Sequence, residues 1–127
     1  MRYLLDTDVL IEVFRDNVTV HDQIWQLRHN GHVLCYSPVT RAEVFASLRP
    51  GEEVPVAQIL ARLTCMVIDG PVGEQAGRFL NTYRGSHGLK IGDALIAASA
   101  VLAEADLITF NEKHYPMPEI KLHRLKR

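Results

Sequence analysis

The chain reads as an α/β protein, a three-layer α/β/α sandwich around a mostly parallel central sheet of four or five strands. Three observations predict this. Short apolar runs (RYLLD, VLCY, CMVI, LITF) alternate with segments of helical periodicity, the order that builds βαβ units. The runs are continuously apolar, as strands covered on both faces must be. The length of 127 residues, with 47% hydrophobic and 23% charged side chains, fits one domain (residues 1–127) with a genuine core.

Arg2 to Asp6 forms the first strand, with Asp6 its last residue, and a helix follows from Asp8 to about Arg15. Asn17 or Thr19 caps a second helix toward Asn30, stopped by Gly31. Val33 to Tyr36 is the second strand. Ser37-Pro38 ends it, and Thr40 opens a helix to about Leu48, closed by Pro50-Gly51. A helix from about Val54 to Leu63 precedes the third strand, Cys65 to Ile68. Pro71 to about Tyr83 is helical and Gly85 to Gly88 a loop. A strongly apolar helix begins at Gly92 or Asp93 and reaches Ala105. Leu107 to Phe110 is the fourth strand, and Ile120 to Leu122 is the candidate fifth.

Composition removes several function classes. The formal charge is −1, which argues against a protein held on nucleic acid by bulk charge. Cations do gather in the tail (Lys113, Lys121, Arg124, Lys126, Arg127). The longest apolar stretch, Ala94 to Ala103, falls well short of the roughly 20 residues that span a membrane. Asp6 and Asp8 interrupt any secretory signal. Cys35 and Cys65 sit in apolar runs and read as reduced, buried small hydrophobes. The expectation is a cytoplasmic protein. No Gly-x-Ser-x-Gly, phosphate-binding Gly-rich loop, Cys-x-x-Cys or zinc-spaced histidine set is present.

In sheets of this kind, ligands bind outside the carboxyl ends of the strands, and the acidic residues map to that edge. Asp6 ends the first strand, Glu43 lies early in the helix after the second, and Asp93 heads the helix before the fourth. Asn111 follows the fourth strand and adds an amide oxygen. Singly, each reads as a cap or a solvated side chain. Glu43 shares a helical face with Val39, Ala42 and Ala46, which points it toward the packed side. Converging carboxylates repel one another. A hard cation such as Mg²⁺ or Mn²⁺ relieves that repulsion, orients a water and stabilises a phosphoryl oxygen. The chemistry inferred is phosphate-ester hydrolysis.

The segments YLLDTDVLIEV, SPVTRAEVFASL and IGDALIAASAVLAEADLITFNEKHY resemble the PIN domain, in particular the VapC-type toxins of bacterial toxin–antitoxin pairs. The resemblance covers nearly the whole chain. It implies a PIN-like fold and a Mg²⁺- or Mn²⁺-dependent endoribonuclease whose metal-binding and catalytic acids are Asp6, Glu43 and Asp93. Thr7 would support the site from behind, and Asn111 would be an auxiliary. A homodimer and a VapB-like antitoxin partner are implied too. The pattern departs at Asn111, where many relatives carry a fourth acid, which puts a second metal in doubt, and at His114-Tyr115, where the family often has Asp-Phe. Glu112 is the neighbour that would compensate, and His114 itself reads as a surface-loop residue.

The expected substrate is unpaired RNA, whose bases can stack on aromatics. Tyr115 and Phe110 are the stacking candidates, although each also reads as core. Arg41, Arg49 and the tail cations would steer phosphate. The helices around Ile24, Trp25 and Leu27 and around Ile59, Leu60 and Leu63 are candidate partner surfaces, though core is the commoner use of such residues. Two readings compete: a haloacid-dehalogenase-like phosphatase using Asp6 and Asp8, and a non-cutting PIN-fold module that binds RNA or protein. A receiver-type phospho-acceptor at Asp69 fits less well, because Asp6-Thr7-Asp8 is not an adjacent acidic pair.

Overall fold

Strand β1 (Arg2–Leu5) runs down the middle of the molecule. It pairs in parallel with β2 (Val33–Tyr36) on one side and β4 (Asp106–Ile108) on the other, and β3 (Thr64–Cys65) pairs outside β2. The computed structural model describes residues 1–127, and its sheet order is β3-β2-β1-β4. The register explains why both faces are dry. Leu4 is aligned with Cys35 and Leu107, and all three enter one core cluster. Tyr3 with Leu34, and Leu5 with Ile108, enter the other.

Two helical layers cover those faces. Helices α1 (Thr7–Phe14), α2 (Val18–His29), α3 (Pro38–Ala46) and α4 (Glu53–Leu60) bury Leu10, Ile24, Val44 and Leu60 against one side. Helices α5 (Gly70–His87) and α6 (Ile91–Leu102) bury Phe79, Leu80 and a run of alanines against the other. The three-layer architecture with a four-stranded parallel sheet is as the sequence predicts. The candidate fifth strand is a single parallel bridge, Leu107 to Leu122.

The helices start where short polar side chains satisfy free amides. Asn17 Oδ1 accepts from Val20 N at 3.2 Å, so Asn17 and not Thr19 is the cap. Ser37 Oγ accepts from Val39 N at 3.1 Å, with Pro38 in the first turn, so α3 starts before Thr40. Asp69, bonded to Val72 N at 3.1 Å, is a helix cap.

Several expectations are corrected. Helix α5 runs through the anticipated Gly85–Gly88 loop to His87, because its Ala76, Phe79 and Leu80 stripe is buried, and Gly88 closes it in a left-handed conformation (φ 62°). Strand β3 shrinks to two residues and leaves Val67 exposed. Cys65 is exposed and only Cys35 is buried. Of the candidate partner residues, Ile24, Leu60 and Leu63 are core, and Trp25, Leu27 and Ile59 pack half-buried against it. No helix is long and apolar enough to cross a membrane.

These placements set a stability contrast. Leu4→Ala, at a fully buried central position, is expected to cost about 2–5 kcal/mol in urea denaturation. Val67→Ala is expected to cost within about 0.5 kcal/mol. A loss above about 1 kcal/mol at Val67 would restore the longer third strand.

Candidate active site

Asp6 stands one residue beyond β1, where it caps α1 instead of ending the strand. Its own amide donates to the Ile108 carbonyl at 2.9 Å, pinning it to β4 at the point where strand order reverses. The residue is only 7% exposed, and a buried carboxylate without partners would be costly. Three donors meet that need. Thr7 N donates to Oδ1 at 2.9 Å, and the Thr109 hydroxyl and Tyr115 phenol donate to Oδ2 at 2.8 and 3.0 Å. Thr109 and Tyr115 are themselves buried. Burial first, then the charges of Asp6 and Asp93, hold the Tyr115 phenol far above its ordinary range, so it stays protonated and donates at every working pH.

Glu43 enters from α3. It is exposed, contrary to the expectation of a packed face, because the buried residues of that helix are Thr40 and Val44. Its carboxylate is nevertheless held: the Thr7 hydroxyl donates to Oε1 at 2.9 Å and lies 3.0 Å from the buried hydroxyl of Thr40. Thr7 thus links the end of β1 to α3.

Asp93 sits in the first turn of α6, three residues past the cap position at Lys90. Gly92 lets this end of α6 lie close to α3, since a Cβ there would stand 3.3 Å from Val39 Cγ1. Burial raises the Asp93 pKa; His114 opposes that shift and Asp6 adds to it. His114 is exposed in a short turn, as the surface reading expects, and its Nδ1 lies 3.6 Å from Asp93 Oδ2.

The other expected members stand apart. Asn111 is exposed, and its amide N–H, not its side chain, is engaged, donating to Thr109 Oγ1 at 3.0 Å. Both carboxylate oxygens of Glu112 accept from Arg124, at 2.8 and 3.0 Å, so Glu112 does not replace a fourth acid. Arg127 is paired with Glu12, and Arg41 donates to the Tyr36 hydroxyl at 2.6 Å. Tyr115 is buried on Asp6 and is not a stacking platform.

Asp8 turns toward β4. Its Oδ2 accepts from Phe110 N at 3.1 Å, and its Oδ1 is buried without a partner. Burial, and next the charge of Asp6, push its pKa up to about 6. No three His, Cys, Asp or Glu side chains converge into a finished cation cage.

Thr40, Thr109, His114 and Tyr115 are the members that motif spacing did not supply. The available signals were slight: a threonine closing an apolar strand, and a tyrosine flanked by Pro116 and Met117.

A family model for the PIN domain matches residues 3–120. The chain belongs to the PIN-domain family. It is 35% identical over 117 residues to Ribonuclease VapC10 of Mycobacterium tuberculosis (strain ATCC 25618 / H37Rv), covering 91% of this chain and 87% of the relative. It is 30% identical over 115 residues to Ribonuclease VapC19 of the same strain, covering 90% and 92%. The crystal structure of VapBC2 from Rickettsia felis, bound to a promoter DNA fragment, superposes with a TM-score of 0.80 at 25% identity, over 99% of this PIN chain and 100% of that one.

Asp8 yields a pH-dependent expectation. An acid whose folded pKa is raised from 3.8 to about 6 favours folding only while protonated. Stability therefore falls as pH climbs from about 4 to 6, and the penalty is complete above that. Asp8→Asn keeps an acceptor for Phe110 N and removes the charge. It is expected to gain about 1 kcal/mol at pH 7, allowing for the screening of a half-buried group, with the gain vanishing below pH 4. Urea melts at pH 3.5 and 7 decide it, and a less stable variant at pH 7 would refute the assignment.

Proposed function

We propose that this protein is a divalent-metal-dependent endoribonuclease of the VapC kind, silenced by a VapB-type antitoxin. What supports the reading is that the chain's relatives are VapC ribonucleases, that Thr7 bonds both Asp6 and Glu43, and that Asp93 lies near enough to Asp6 for their charges to interact.

The donor set fits Mg²⁺ or Mn²⁺. All three acids offer hard oxygen, and Asp6 and Asp93 repel each other through a half-buried space. Mg²⁺ is commonly bound through one or two carboxylates together with waters and substrate phosphates. When bound, such an ion polarises a phosphoryl oxygen and lowers the pKa of an attacking water. Asp6 and Asp93 would hold it. Asp6 is already fixed by its three donors, so little reorganisation precedes the reaction. Glu43, tethered at one oxygen by Thr7 and exposed at the site, would orient the attacking water and receive its proton.

RNA reaches the acids across the exposed side of α3. Arg49 and Lys113 are exposed without side-chain partners and would steer phosphate, whereas Arg124 and Arg127 are occupied by Glu112 and Glu12. The antitoxin partner is supported by the VapBC2 likeness. A homodimer acting in the cytoplasm completes the proposal. Asp8 gives little support to a phosphatase, because one of its oxygens is tied to Phe110 N and the other is buried.

Purified protein free of antitoxin, given a panel of transfer RNAs and ribosomal RNA fragments, is expected to yield discrete products with Mg²⁺ or Mn²⁺ and none with EDTA. Asp93→Asn is expected to lose at least about a hundredfold in rate, about 2.7 kcal/mol of transition-state stabilisation. It should not lose stability, since burial already disfavours the Asp93 charge. Metal-independent RNA binding without cleavage, unchanged in Asp93→Asn, would overturn the enzyme reading. Metal-dependent hydrolysis of para-nitrophenyl phosphate without RNA cleavage would favour a phosphatase.

A further inference from the structure

The segment from Thr109 to Tyr115 supplies two of the three donors on Asp6 and the histidine beside Asp93, yet its only regular structure is one 3₁₀ turn, Glu112–His114. Thr109 and Tyr115 bond the α1 cap Asp6, and Glu112 pairs with Arg124. Phe110 adds contacts to the body of α1. The Phe110 amide donates to Asp8 Oδ2 at 3.1 Å, and the Arg127 guanidinium lies 4.5 Å above the Phe110 ring. Arg127 Nε also donates to Glu12 Oε1 at 3.0 Å, and Glu12 lies one helical turn beyond Asp8 on the same face of α1.

The strand-like stretch that delivers Arg127 is itself anchored. Leu107 N donates to Lys121 O, and His123 N to Leu107 O, each at 2.8 Å. The Gln23 side chain then bonds Lys126 on both backbone groups, at 2.6 and 2.9 Å. The stretch leaves the sheet beside β4, crosses to α2 and ends with a cation over Phe110.

We propose that Arg127 is a positioning residue for the acidic site. It clamps Phe110 against the Asp8–Glu12 face of α1, and so keeps Thr109 and Tyr115 on Asp6 and His114 beside Asp93. The claim rests on the nuclease reading for its kinetic consequence, but the clamp itself can be observed without any activity. Guanidinium over an aromatic face and a carboxylate partner at hydrogen-bond distance are each modest attractions. They act together on a segment with little structure of its own, so a local rather than global effect is expected.

The test compares the full chain with Arg127→Ala, Arg127→Lys and, as a surface control, Arg78→Ala, whose pair with Glu74 lies on α5. Amide exchange by NMR reads the clamp directly. In Arg127→Ala the Phe110 amide is expected to exchange roughly tenfold faster while the amides of β1 and β2 hold their wild-type rates. With Mn²⁺ and RNA, kcat is expected to fall three- to tenfold at nearly constant KM. Arg127→Lys, which keeps a cation over the ring, recovers part of both losses, and Arg78→Ala changes neither. Unchanged Phe110 exchange overturns the proposal, as does faster exchange with unaltered kcat. A raised KM at unchanged kcat would make Arg127 a phosphate contact and also overturn it. If the wild-type protein cleaves no RNA, the nuclease reading fails, and the exchange rates still decide the clamp.

Discussion

The arrangement turns on one buried negative charge. Asp6 lies at the junction of β1 and α1, nearly closed to solvent, and its carboxylate persists there only because donors come to it. One is the adjacent Thr7 amide, and the other two come from positions 103 and 109 residues away. Removing any of them leaves a charged acceptor short of a partner in a low-dielectric setting, where such a deficit costs more than the hydrogen bond contributed. The carboxyl edge of the sheet is thus built around satisfying Asp6, and the other acids are held at its margin by Thr7 and by the close approach of α6 to α3.

The strand order makes that meeting feasible. A chain that adds β2 and β3 on one side of β1 and then returns to place β4 on the other leaves a gap in the helical cover at the carboxyl ends of β1 and β4. Asp6 and Thr109 are the residues that leave those two ends. The dry faces on either side, filled by Leu4, Cys35 and Leu107 below and by Tyr3, Leu5 and Ile108 above, fix the register, because a slip by one residue would exchange the two sets.

Much of this was legible in the sequence, and the limits have physical causes. β1 and β2 announce themselves because strands buried on both faces need uninterrupted apolar runs, and Asp6 is legible as the polar residue that closes the first of these runs. The direction of Glu43 is not legible, because Ala42 and Ala46 are apolar but small enough to sit in solvent and so do not mark a packed face. α5 ran longer than its glycines suggested, since burial of Phe79 and Leu80 outweighs a helix-propensity deficit of about 1 kcal/mol for an interior glycine. Thr109 and Tyr115 were out of reach because their significance lies in a partner a hundred residues away, and no local period records it. Tyr115 reads from sequence as a stacking candidate or as core; its ring packs in the core and its hydroxyl donates to Asp6.

The pairing of β1 with β4 also has a consequence in time. β1 is made first and can pair with β2 after a short wait, but its other neighbour and the donors for Asp6 come much later. At a synthesis rate of ~5–20 residues per second, Thr109 follows Asp6 by roughly 5–20 s. During that interval the nascent chain carries its acids without the pocket that organises them. Contacts of such sequence separation also slow the final closure, because the loop entropy is lost before the contact is gained. Thr109 and Tyr115 therefore reach Asp6 late, when the segment after β4 docks, and a ribosome-bound fragment lacking that segment leaves the Asp6 carboxylate two donors short.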